Sequence, residues 1–143
     1  TAPIYSRPRF LAPTRFDGVT VKQSLIADGC TIGKGTVIEN SVIGIRSRIG
    51  HGTTIVSSYI MGNDYYETIE EMADNLSKGI PKIGIGERSF IKDAIIDKNC
   101  RIGDDVKIMG GKDKASIDHK LYTIKDGIVV VKKGAIIPNG FVI

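Results

Sequence analysis

At 143 residues the chain has the length of one domain able to bury a core of its own. Its net charge of +4 and pI near 9.1 come from basic and acidic residues interleaved almost everywhere, with no Lys/Arg run punctuated by aromatics. That pattern argues against a nucleic-acid-binding face and leaves small anions as better-suited partners. No stretch is apolar enough for a membrane span and no signal peptide is visible. Cys30 and Cys100, 70 positions apart, offer neither metal-ligand spacing nor a disulfide framework. A reducing compartment and a packing role for both thiols follow.

The chain opens at Thr1 without Met, on "TAPIYSRPRFLAPTRF", which holds three of its five prolines and no periodicity. Residues 1–18 are therefore expected to be an extended linker hugging a surface, and the chain to be a piece of something larger. From there a period of six takes over. Ile26, Ile32 and Ile38 form one series; Ile43, Ile49 and Ile55 a second, one residue out of phase. Ile85 and Ile91 start a third, continued after another slip by Ile96, Ile102 and Ile108, and Val130, Ile136 and Val142 are expected to close the chain. Gly follows Ile32, Ile43, Ile49 and Ile102 directly.

A period of six fits neither a helix nor a simple strand, but it is the hexapeptide signature of a parallel β-helix. Each unit is a short strand plus a corner, and three units make a triangular coil. Branched residues point inward and stack as ladders, while small residues allow sharp corners. Coils of this hexapeptide class wind left-handed. The fold expected is thus all-β, a left-handed parallel β-helix over residues 19–143 with one short inserted helix.

Two excursions interrupt the rhythm, at about 63–80 and 110–123. In "ETIEEMADNLSKG" (67–79), Ile69, Met72, Ala73 and Leu76 fall at i, i+3, i+4 and i+7. Thr68 with Glu71 predicts a capping box and Gly79 a stop, so a short amphipathic helix should loop out and pack back on the coil. "GGKDKASIDHKLYT" is polar and aperiodic and predicts a second, mobile excursion.

Little in the chain points to catalysis. Hexapeptide acyltransferases need a catalytic His, and the candidate would be His51 in "IGHGTT"; a lone His at an exposed corner is more often a solvated side chain. A zinc site of three histidines is excluded, since only His51 and His119 exist. No triad, P-loop or paired-carboxylate motif is present.

"APIYSRPRFLAPT", "VIGIRSRI", "MGNDYYET", "GIGERSFIKDAIIDKNCRIGDDVKI" and "GIVVVKKGAIIPNGFVI", in this order, cover essentially the whole chain. Together they resemble the C-terminal domain of ADP-glucose pyrophosphorylase (glucose-1-phosphate adenylyltransferase) of plant and cyanobacterial flavour. The resemblance implies a separate N-terminal nucleotidyltransferase domain that holds ATP, Mg²⁺ and glucose 1-phosphate and makes ADP-glucose for starch or glycogen. No cofactor is expected in the β-helix domain itself. It further implies a plastid stroma or bacterial cytoplasm, assembly into a homo- or heterotetramer, and allosteric control by 3-phosphoglycerate and phosphate; related members answer to fructose 6-phosphate or fructose 1,6-bisphosphate.

The same resemblance assigns activator contacts to the Lys of "IDKN", here Lys98, and to the Lys after "GIVVV", here Lys133 with Lys132 as the alternative. Asp97 would orient the network beside Lys98. Arg7 and Arg9, two apart on an extended chain and so on one side of it, match the family's entering segment. Converging ammonium groups suit a phosphate. Two other functions fit less of the sequence: assembly domain of another sugar-phosphate nucleotidyltransferase, such as a mannose-1-phosphate guanylyltransferase, or a hexapeptide acyltransferase using His51.

Overall fold

The structure is a computed structural model that describes residues 11–143. Five coils, each of three short strands, follow one another in chain order. The first has β1 (Arg15–Phe16), β2 (Thr20–Lys22) and β3 (Leu25–Ile26). The second has β4 (Thr31–Ile32), β5 (Val37–Glu39) and β6 (Val42–Ile43), and the third β7 (Arg48–Ile49), β8 (Thr54–Val56) and β9 (Tyr59–Ile60). After helix α1 (Ile69–Ser77) comes the fourth, β10 (Gly84–Ile85), β11 (Phe90–Lys92) and β12 (Ala94–Ile96). The fifth begins with β13 (Arg101–Ile102) and β14 (Lys107–Met109). It passes through β15 (Ile117–Asp118) and β16 (Tyr122–Lys125), then closes with β17 (Ile128–Val131), and β18 (Ile136–Ile137) starts a last partial coil. Equivalent strands pair in parallel, giving faces β1-β4-β7-β10-β13-β18, β2-β5-β8-β11-β14 and β3-β6-β9-β12-β17. This is the parallel β-helix the period of six predicts. It starts earlier than residue 19, because Arg15 and Phe16 already pair with Thr31 and Ile32.

The isoleucine ladders form the core: Ile32, Ile49, Ile85, Ile102 and Ile137 share one face, and Ile38, Ile55, Ile91 and Ile108 another, all buried. Corners are held by buried hydroxyls. Thr53 Oγ1 donates to the Gly86 carbonyl at 2.7 Å and accepts from the Ser89 N–H at 3.1 Å, and Ser89 repeats the pattern toward Gly103 and Val106. These bonds serve backbone groups that the sharp corner would otherwise leave unpaired inside. Glycine is required where coils touch: a Cβ on Gly50 would lie 2.6 Å from the Gly86 carbonyl carbon. Cys30 and Cys100 occupy equivalent small-residue corners, buried and free, and burial pushes the Cys100 thiol up to about 11.

Three expectations need correction. The closing series is one residue out of phase, since Val131, Ile137 and Ile143 point inward while Ile136 and Val142 are exposed. Register explains it: Ile96 pairs with Val131 and Ile102 with Ile137. The segment 110–123 is only partly irregular, for it contains β15 and the start of β16, which with β17 form an antiparallel meander on the third face. "YTIKDGIVVV" drives this, because Asp126 (φ 52°) and Gly127 (φ 77°) supply the two positive-φ residues of a tight hairpin turn. Finally, α1 has the expected cap, with Thr68 accepting from the Glu71 N–H, but it does not bury its apolar stripe. Ile69 is 78% and Leu76 57% exposed. Polar pins rather than hydrophobic packing hold this helix in place.

Candidate functional site

Register builds one corner from three successive coils. Pairing of β12 with β17 carries Lys98 and Lys133, each two residues past its strand, to the same turn of neighbouring coils, and the Gly134 N–H donates to the Lys98 carbonyl at 2.9 Å. On the other side, the Asn99 N–H donates to the Gly62 carbonyl at 3.2 Å. Adjacent coils lie about 4.8 Å apart, so two ammonium groups on flexible stems can reach one phosphate.

Lys132 and Lys133 differ in their contacts. Lys132 Nζ is occupied, donating to the His119 carbonyl at 2.6 Å and pairing with Asp118 at 3.2 Å. Lys133 is exposed and has no ion pair within 4.0 Å among the described residues. Asp97 touches neither ammonium: its Oδ1 accepts from the Lys98 N–H at 2.7 Å, so it fixes the backbone of the turn. Arg7 and Arg9 lie outside the described residues.

The corner contains one residue that sequence reasoning missed. Asp64 Oδ1 meets Lys98 Nζ at 3.2 Å, Asp64 Oδ2 accepts from Asn99 Nδ2 at 3.0 Å, and the Asp64 N–H donates to Asn99 Oδ1 at 2.9 Å. The Asn99 amide and the Lys98 ammonium, with the Lys133 charge behind them, hold the Asp64 carboxyl below the usual aspartate range. The signal lay in coil arithmetic, since Gly62 stacks beneath Lys98 and Asp64 follows it by two.

Asp64 lies near the start of a strap, residues 62–79, that carries α1. The strap's other anchor is Glu67, whose side chain is 1% exposed. It takes the Ile83 N–H at 2.6 Å, Asn75 Nδ2 at 2.9 Å and Arg101 at 2.8 Å. Burial alone would raise its pKa, but these three donors outweigh burial and hold it below the usual glutamate range.

The cleft beside the third face, about 580 Å³, is lined by Asp93 and Asp126 with Lys112 as its one cation. His51 sits at an exposed corner, and His119 stacks on Tyr122 at 4.5 Å. Among the described residues no cluster of His, Cys, Asp and Glu could hold a metal, and no helix is long and apolar enough to cross a membrane.

Stacked hexapeptide coils with an inserted helix and a two-lysine corner define a left-handed parallel β-helix domain. The GLGC left-handed parallel beta-helix domain model matches residues 9–142, and the chain belongs to that family, the C-terminal domain of ADP-glucose pyrophosphorylase.

Proposed function

We propose that this domain is the regulatory and assembly part of a glucose-1-phosphate adenylyltransferase, the enzyme that makes ADP-glucose and diphosphate from ATP and glucose 1-phosphate for starch or glycogen synthesis. Small phosphorylated effectors, 3-phosphoglycerate and phosphate, bind at the Lys98–Lys133 corner. The observation that carries this reading is the stacking of the two lysines on successive coils, with Lys133 left without an ion pair among the described residues. Mg²⁺ and the reacting nucleotide belong to the nucleotidyltransferase domain, so residues 1–143 alone make no ADP-glucose. Support for the assembly role comes from apolar residues without cover: Phe16 and Val21 at the first coil, Tyr65 and Tyr66 in the strap, and the stripe on α1. The partners are other subunits of a tetramer.

The test is activation of the full-length enzyme. Lys133→Ala and Lys98→Ala should each raise the activator concentration for half-effect roughly tenfold or more, as loss of one charge-assisted hydrogen bond implies. Activity without activator should change little, since only coupling between sites is cut. Superimposed activation curves for both variants would sink the regulatory reading.

A further inference from the structure

The corner already holds an anion of its own, the Asp64 carboxylate. Its two oxygens are taken by Lys98 Nζ and Asn99 Nδ2, the groups that face outward beside Lys133. A phosphate bridging Lys98 and Lys133 must approach the atom Lys98 now engages, and it brings like charge toward Asp64. The Lys98 ammonium has three N–H donors and gives one to Asp64, so the competition is electrostatic: a phosphate on the same nitrogen lies beside the Asp64 carboxylate, and each weakens the other's hold. The Lys98–Asp64 pair is weak enough to exchange, since the side chains remain 44% and 48% exposed and water screens them.

We propose that Asp64 is a built-in competitor that sets the affinity of the corner, displaced from Lys98 when a phosphate-bearing ligand binds. This rests on the reading of Lys98 and Lys133 as an anion site and adds to it the residue that opposes binding. One consequence is structural. Asp64 lies near the start of the 62–79 strap, and Glu67, three residues on, is pinned independently by Ile83, Asn75 and Arg101. Displacement therefore releases the Asp64 side chain alone: Asn63 stays held by its N–H on the Ile45 carbonyl and its Nδ2 on the Arg46 carbonyl, Tyr66 by its hydroxyl on the Gly29 carbonyl at 2.9 Å, and α1 by its base.

The test is calorimetric titration of inorganic phosphate into the 143-residue chain and four variants at low ionic strength. Asp64→Asn keeps the shape and the amide contacts to Asn99 while removing the charge. It should bind phosphate about three- to tenfold tighter, the range expected for an exposed pair plus removal of like-charge repulsion. Asp64→Glu, which restores the charge, should return toward wild type. Lys98→Ala and Lys133→Ala should both weaken binding. If the lysine variants weaken binding but Asp64→Asn titrates like wild type, Asp64 is only an anchor and this inference is overturned while the site stands. If neither lysine variant differs from wild type, or phosphate binds to none of the chains, the anion site itself is lost and the inference with it.

Discussion

Asp64 and Glu67 are three residues apart in one strap, and each reaches a cation on a neighbouring coil, yet they sit in opposite regimes. Glu67 is almost fully enclosed with Arg101, which is 16% exposed, and every donor around it is committed. Asp64 and Lys98 are each nearly half exposed. The enclosed pair is expensive to break because either partner left alone is a buried charge. The open pair is cheap to break because water and ions replace what is lost. Carboxylate–cation pairing thus serves as a fixed pin at Glu67 and as an exchangeable contact at Asp64, three residues away.

The largest effect should come from the pin. Arg101→Ala leaves the Glu67 carboxylate without its counter-charge and should destabilise the strap by about 3–5 kcal/mol. Hydrogen exchange in α1 should then approach that of an open segment, while the isoleucine core stays protected. Unchanged exchange in α1 would show that something other than Glu67 holds the helix. Lys98→Ala should do the reverse, weakening phosphate binding roughly tenfold with no measurable change in thermal midpoint. A midpoint loss comparable to that of Arg101→Ala would erase the distinction between the two anchors.

Acid should act on the pin next. Because the Glu67 pKa is lower folded than in the ordinary unfolded range, its contribution is present above the unfolded value. It is lost as pH falls through the folded one. The strap should therefore loosen only below the usual glutamate range of about pH 4.3, and Glu67→Gln should flatten that acid limb in a pH series of α1 exchange. The smallest effect should be that of salt. Raising NaCl from low ionic strength should disrupt the Lys98–Asp64 contact, read as a shift of the Asn99 side-chain amide, while the Glu67–Arg101 environment stays constant. Equal salt sensitivity of both pairs would contradict the difference in exposure.

How much of this could be read beforehand depended on whether the signal was periodic. The isoleucine ladders announced the coil, since a period of six has few other structural meanings, and Thr68 with Glu71 marked the start of α1. The phase of the closing coil was ambiguous because "IVVV", "AII" and "FVI" offer apolar residues at adjacent positions. Ala135, the small corner residue two places before Ile137, as Cys100 is before Ile102, would have fixed it. Asp126-Gly127 carried a hairpin signal that is independent of the period of six. The helix stripe was visible, but its direction was not, because polar anchors from distant coils set it. Lys98 and Lys133 were assigned by resemblance, and Lys132 was separated from Lys133 only by the Asp118 and His119 contacts. Asp64 was hidden because its partners are 34 and 35 positions away.

The most direct measurement is residue-resolved NMR of the 143-residue chain during titration with inorganic phosphate. The largest shifts should fall on the backbone amides of Lys98, Asn99, Lys133 and Gly134 and on the Asn99 side-chain amide, with His51 and Lys112 unmoved. Saturable shifts centred on any other corner, or none at the corner where Lys98 and Lys133 stack, would contradict the assignment of these lysines as the anion site.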